Sequence, residues 1–159
     1  MNMDELKHIE IVVVEDDDAD AEFILRSLRR QKLAREIHLA HDGQEAIDFF
    51  QRLSPQIDPH ELPRLVLLDL NLPRVGGFEV LRVIKSSEHL SSIPVVVFSS
   101  SAEEQDIERA YALGANSYVQ KPIVYEQFAI IINQLASYWL LANLSVPQAE
   151  IHAGTQPHK

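Results

Sequence analysis

Four places in the chain put a chemically capable side chain at or just beyond the end of a short apolar run. Glu15 and Asp16 follow Ile11–Val14, Asp69 follows Leu65–Leu68, Ser99 follows Val95–Phe98, and Lys121 follows the Tyr118-Val119 pair. Such runs, rich in β-branched residues, read as strands buried on both faces. If the strands are parallel neighbours, their C-terminal ends lie together, where open α/β sheets bind ligands. Three carboxylates gathered there repel one another and hold protons more tightly than usual unless a cation sits among them. Hard oxygen donors, with no His or Cys beside them, suit Mg²⁺. An ammonium and a hydroxyl around one carboxylate could then stabilise phosphoryl oxygens while that carboxylate attacks in line, giving an aspartyl phosphate. Taken singly, each group has a plainer explanation. The Glu15–Asp18 acids suit a solvated helix start, Asp69 a turn, Ser99 a strand-end hydroxyl and Lys121 a surface charge. Their joint placement at four strand ends is what points to a site.

The elements between these runs have helical period. Ala21, Ile24, Leu25 and Leu28 form an i, i+3, i+4, i+7 face, with Arg26, Arg29 and Arg30 turned away. Ile37 and Leu39 mark a weaker strand, and Asp42 to Glu45 reads as a capping box opening a helix with Ala46, Ile47 and Phe50 inward. The segment from Ser54 to Arg64 contains three prolines and is predicted to be a long loop. Val80, Leu81 and Ile84 face inward from a third helix. Ser101 with Glu104 forms a second predicted capping box, for a helix that closes near Gly114. A final helix is expected from about Tyr125 to about Asn143. Five strands alternating with five helices define a doubly wound α/β domain with a parallel sheet.

Composition narrows the function. The chain has 159 residues, 46% of them apolar, which fits one core. No cysteine is present, so disulfides, thiolate catalysis and iron–sulfur chemistry are excluded. The net charge of -10 disfavours a phosphate backbone as partner. The apolar runs are too short to span a membrane and Met1–Glu10 lacks a secretory pattern, so a cytoplasmic protein is expected.

In this order the residues resemble the receiver domain of response regulators, the phosphoacceptor half of two-component signalling, over about Ile9 to Leu135. The resemblance implies a flavodoxin-like five-stranded sheet with five helices. Asp69 would accept the phosphoryl group from a sensor histidine kinase. Asp16, Asp69 and the backbone carbonyl of Asn71 would bind Mg²⁺, with Glu15 acting through metal-bound water. Lys121 would pair with the phosphoryl group, Ser99 would move to hydrogen-bond it, and Tyr118 would swing inward as the switch aromatic. The Lys121-Pro122 bond is expected to be cis. Gly76 stands where many receivers have Asp, and Ser99 where Thr is commoner; neither removes a required group. The implied division is an N-terminal segment (1–8), a receiver domain (9–144) and a flexible tail (145–159).

A narrower resemblance is to the single-domain regulators of bacterial and cyanobacterial phytochromes. It rests on the long segment before the third strand, Asn71-Leu72-Pro73-Arg74, Pro94–Ser99, Ala102-Glu103-Glu104 and the ending Tyr138-Trp139-Leu140-Leu141. It implies a phytochrome kinase as partner and a homodimer. In the last helix Phe128, Ile131, Ile132, Leu135, Trp139 and Ala142 form the expected core stripe, leaving Tyr138, Leu140, Leu141 and Leu144 as surplus apolar residues for a dimer interface. Alternatives are a phosphorelay intermediate or chemotaxis-like adaptor, or a phosphatase of the haloacid-dehalogenase type. The phosphatase normally needs a second Asp where Asn71 stands. His38 and His41 are the only histidine pair within four residues and read as surface groups rather than metal ligands.

Overall fold

Ile11–Val14, Leu65–Leu68 and Val95–Ser99 are buried at every position, as strands covered on both faces must be. A computed structural model describes residues 1–145 and places them as β1, β3 and β4 of a five-stranded sheet. The other strands are β2 (Ile37–Ala40) and β5 (Ser117–Gln120). All pairs are parallel, in the order β2-β1-β3-β4-β5. The chain reverses its winding direction between β1 and β3, the switch point where this architecture opens a crevice.

The helices are α1 (Met3–Leu6), α2 (Asp18–Gln31), α3 (Gly43–Arg52), α4 (Gly77–Ser86), α5 (Glu104–Ala112) and α6 (Tyr125–Ser137). Five of them are the expected crossover and closing helices. The sixth, α1, is a single turn closed by an Asn2–Glu5 capping box that buries Leu6. Strand alternation divides the core. Val12, Val14, Val66, Leu68, Val95 and Val97 face α3, α4 and the residues around α5, whereas Ile11, Val13, Leu65, Leu67, Val96 and Phe98 face α2 and α6. Phe98 packs edge-on against Phe128 with centroids 5.0 Å apart.

The proline-rich loop is tied down. Leu53, Ile57 and Leu62 are buried, a short 3₁₀ turn covers Pro59–Glu61, and His89 Nε2 donates to the Leu53 carbonyl at 2.8 Å. The Lys85 ammonium donates to the carbonyls of Ser91 and Ile93 and to Asn116 Oδ1, joining α4 to the loops that lead into β4 and β5.

Four local expectations need correction. The α5 helix starts at Glu104 with no side-chain cap, because the Ser101 hydroxyl accepts from the Glu103 amide and donates to Asp106 instead of capping. The Lys121-Pro122 bond is trans, since no cis peptide is present among the described residues; trans is the preferred form even before proline, and with it Lys121 already reaches its partners. Leu140 is not available to a dimer interface. It continues the i+4 row of Phe128, Ile132 and Ala136 into the core, and Arg64 donates to its carbonyl at 2.6 Å. The last turn, Tyr138–Ala142, is a π-helix closed by the Asn143 amide on the Tyr138 carbonyl at 2.7 Å. Tyr138, Leu141 and Leu144 remain exposed, and Ala142 is exposed rather than in the stripe. The predicted tail lies outside the described residues except for Ser145.

Candidate functional site

The sheet's hydrogen-bond ladder carries the site residues out of the strands. The Glu15 amide donates to the Ala40 carbonyl at 3.0 Å, the Asp69 amide to Val14 at 3.0 Å, and the Lys121 amide to Ser99 at 2.8 Å. These bonds fix each backbone immediately beyond β1, β3 and β5, so the side chains converge without help from a flexible loop. Glu15 is 1% exposed, Ser99 is fully buried, and Asp69 is nearly so.

Lys121 is the hub. Its ammonium lies 2.6 Å from Glu15 Oε2, 2.9 Å from Asp20 Oδ2 and 3.2 Å from Asp69 Oδ2. Glu15, Asp16 and Asp69 each offer an oxygen within 4.8 Å of the others, with Asp16 the exposed member. Three carboxylates thus contact one ammonium, with Asp16 beside two of them. Burial, and then the Asp69 charge, push the Glu15 carboxyl up from an ordinary 4.5 to about 8, against the pull of Lys121. Burial also disfavours the Lys121 ammonium, but Glu15 first, then Asp69 and Asp20, outweigh it and hold the ammonium above its ordinary range. The consistent picture is a permanently charged ammonium facing a cluster with more negative charge than it can balance.

Short backbone bonds orient the carboxylates. Asp69 Oδ1 accepts from the Asn71 amide at 3.2 Å, and Glu15 Oε1 from the Asp17 amide at 3.2 Å. Asn71 itself is exposed. The loop it opens passes through Arg74 at φ 65, a left-handed conformation that a branched or bulky side chain adopts only when its surroundings hold it there. Ser99 Oγ accepts from the Ser101 amide at 3.3 Å. Tyr118 is half-buried against the core, its hydroxyl donating to the Ser101 carbonyl at 2.9 Å and its amide to the Tyr111 hydroxyl at 3.1 Å. The switch candidates Ser99 and Tyr118 are therefore linked through one residue, Ser101.

Glu15, Asp16, Asp69 and Lys121 come together as the sequence predicts, with Ser99 at the adjoining strand end. Tyr138 and Leu141 lie on the C-terminal turn and Leu144 just beyond it, apart from this cluster. Asp20 was not anticipated. Its only sequence signal is an acid in the first turn of the helix that follows the Glu15-Asp16 pair.

A doubly wound sheet with an acid cluster, a buried hydroxyl and a lysine at its strand ends is the arrangement of a signalling receiver, and the family comparison agrees. The chain belongs to the response regulator receiver domain family, whose model matches residues 11–133. Among its relatives is the probable methanogenesis regulatory protein FilR2 of Methanothrix harundinacea, 42% identical over 135 residues, 85% of this chain and 86% of that protein. The response regulator Rcp1 of Synechocystis is 35% identical over 82% of this chain and 88% of its own length. The crystal structure of its Mn(2+)-bound form covers 86% of this chain and 98% of that one with a TM-score of 0.76 at 33% identity. The phosphorylated cyanobacterial phytochrome response regulator RcpA gives a TM-score of 0.78 at 36% identity, over 87% of this chain and 98% of that one. The described helices include none long and apolar enough to cross a membrane.

Proposed function

We propose that this response regulator receives a phosphoryl group on Asp69 from a sensor histidine kinase of the phytochrome type. The observation that carries the reading is the buried Asp69 carboxylate held 3.2 Å from the Lys121 ammonium, with Glu15 and Asp16 oxygens within 4.8 Å. A carboxylate oxygen of Asp69 attacks phosphorus, and the new O–P bond forms as the bond to the donor nitrogen breaks. Lys121 balances charge on the phosphoryl oxygens, and the Ser99 hydroxyl donates to one of them. Tyr118 follows when Ser101, which it grips, moves with Ser99.

The donor set fits a divalent cation: all ligands are hard oxygens, and Glu15, Asp16 and Asp69 bring three carboxylates within 4.8 Å of one another beside a single lysine. Asp16, Asp69 and the Asn71 carbonyl would hold Mg²⁺, with Glu15 behind them. When bound, the ion neutralises the cluster and draws charge from the phosphoryl oxygens. The Mn(2+)-bound form of Rcp1, a relative of this length, supports the assignment. Asn71 offers no carboxyl as a second acid, which argues against a turnover phosphatase of the haloacid-dehalogenase type.

The phytochrome pairing is supported by the phosphorylated relative RcpA and by the aromatic C-terminal turn. That turn exposes Tyr138 and Leu141, and with Leu144 just beyond it they form the proposed homodimer contact now that Leu140 is excluded. The test is phosphotransfer. Autophosphorylated phytochrome kinase mixed with the wild type should lose its label within seconds, and with Asp69→Asn should keep it. Equal loss to both, or faster transfer from an unrelated kinase panel, would overturn the pairing.

A further inference from the structure

Lys121 has one carboxylate partner that the proposed chemistry does not use. Glu15, Asp16 and Asp69 form the only cluster among the described residues whose oxygens could share a cation, and Asp20 is not part of it. Its one ion pair among the described residues is with Lys121, at 2.9 Å. Asp20 sits in the first turn of α2, where its amide donates to the capping Asp17 carboxylate at 2.8 Å, so its backbone is fixed. The side chain reaches the ammonium from the partly exposed mouth of the site, while Glu15 holds it from the buried side at 2.6 Å.

We propose that Asp20 is a positioning residue that competes with the phosphoryl group for the Lys121 ammonium and so restrains phosphorylation. The inference rests on Asp69 being the phosphoacceptor. A phosphoryl group replaces the single charge of Asp69 with roughly two, and its oxygens need the ammonium that Asp20 shares. The Asp20 charge opposes that exchange twice, by retaining Lys121 and by repelling the incoming anion. Removing it does not release Lys121, because Glu15 alone makes the shorter contact from a fully buried position. The cation ligands are also left intact. Asp20 thus sets how readily the site charges without taking part in bond making.

The test is equilibrium binding of beryllofluoride, a phosphoryl mimic, followed by fluorine NMR at saturating Mg²⁺ for wild type, Asp20→Asn, Asp20→Ser and Asp20→Glu. The neutral variants should bind about fivefold more tightly, the size of a partly exposed charge-assisted contact, and Asp20→Glu should return to wild-type affinity. Labelling by acetyl phosphate should accelerate in the neutral variants at low donor concentration and converge with wild type at high concentration. Mg²⁺ affinity, measured alongside, should change little. Neutral variants that bind Mg²⁺ normally but beryllofluoride equally or more weakly would overturn the proposal, as would an Asp20→Glu variant that behaves like Asp20→Asn. A wild type that binds no beryllofluoride at all would instead overturn the phosphoacceptor reading, and this inference with it.

Discussion

Gly76 and Gly77 are adjacent, yet replacing each by alanine should have unequal consequences. A Cβ at Gly77 would lie 2.3 Å from the Asp69 carbonyl oxygen and 2.6 Å from Leu70 Cα. Both are backbone atoms, and the first is about 1 Å inside the 3.4 Å at which ordinary contact begins. No side-chain rotation can relieve the clash, so the backbone that carries the phosphoacceptor or the start of α4 must move, breaking the Gly77 amide bond to the Leu70 carbonyl. Overpacking of this kind costs about 1–3 kcal/mol, and a displacement near 1 Å at a reacting group can slow a reaction by up to about 10²-fold. At Gly76 a Cβ meets nothing within 4 Å, and φ of -72° suits any residue. There, reduced freedom of the unfolded chain, worth about 0.4–1 kcal/mol, offsets the weaker helix-capping preference of alanine, so stability should stay within about 0.5 kcal/mol of wild type. Urea unfolding midpoints and initial rates of labelling by acetyl phosphate measure both effects. A Gly77→Ala protein as stable and as quickly labelled as Gly76→Ala would show that the Asp69 backbone is not confined by α4.

Asp16→Asn should weaken Mg²⁺ binding about tenfold or more by calorimetry while raising the apo unfolding midpoint, since it removes one member of a repelling cluster. The raised Glu15 carboxyl has a pH signature. The folded protein holds a proton that the unfolded chain has released, so without divalent metal stability should fall as pH rises from about 4.5 to about 8. That slope should flatten in Glu15→Gln and at saturating Mg²⁺; a slope unchanged in Glu15→Gln would assign it to other groups. Leu140→Ala should cost about 2–5 kcal/mol in denaturant unfolding, as for a buried leucine, whereas Leu141→Ala should leave monomer stability alone and weaken self-association in sedimentation equilibrium.

What the sequence revealed of this protein follows from how local each cause is. Ile11–Val14, Leu65–Leu68 and Val95–Phe98 announce themselves because burial on both faces demands uninterrupted apolar residues. Parallel order then brings Glu15, Asp16, Asp69, Ser99 and Lys121 to one end of the sheet. Side chains with a choice of partners were less legible. Ser101 has the spacing of a helix cap, but its hydroxyl finds Asp106 and the helix begins at Glu104. Leu140 has the look of surplus surface, but the i+4 row of Phe128, Ile132 and Ala136 runs through it and Arg64, 76 residues away in sequence, fastens its carbonyl. Asp20 was hidden among neighbouring acids because its partner is 101 residues away. Tertiary contacts of that range leave no periodic trace. The trans Lys121-Pro122 bond departs from an expectation that came from family resemblance, not from any physical feature of the chain.

Asp69 is the proposed sole phosphoacceptor, and intact-mass spectrometry after incubation with acetyl phosphate and Mg²⁺ distinguishes it from every other residue. Wild type should gain the mass of one phosphoryl group, lose it to hydroxylamine as an acyl phosphate does, and map it to the peptide containing Asp69. Asp69→Asn should gain nothing. Equal labelling of the two proteins, or a label on another residue, would remove Asp69 from that role.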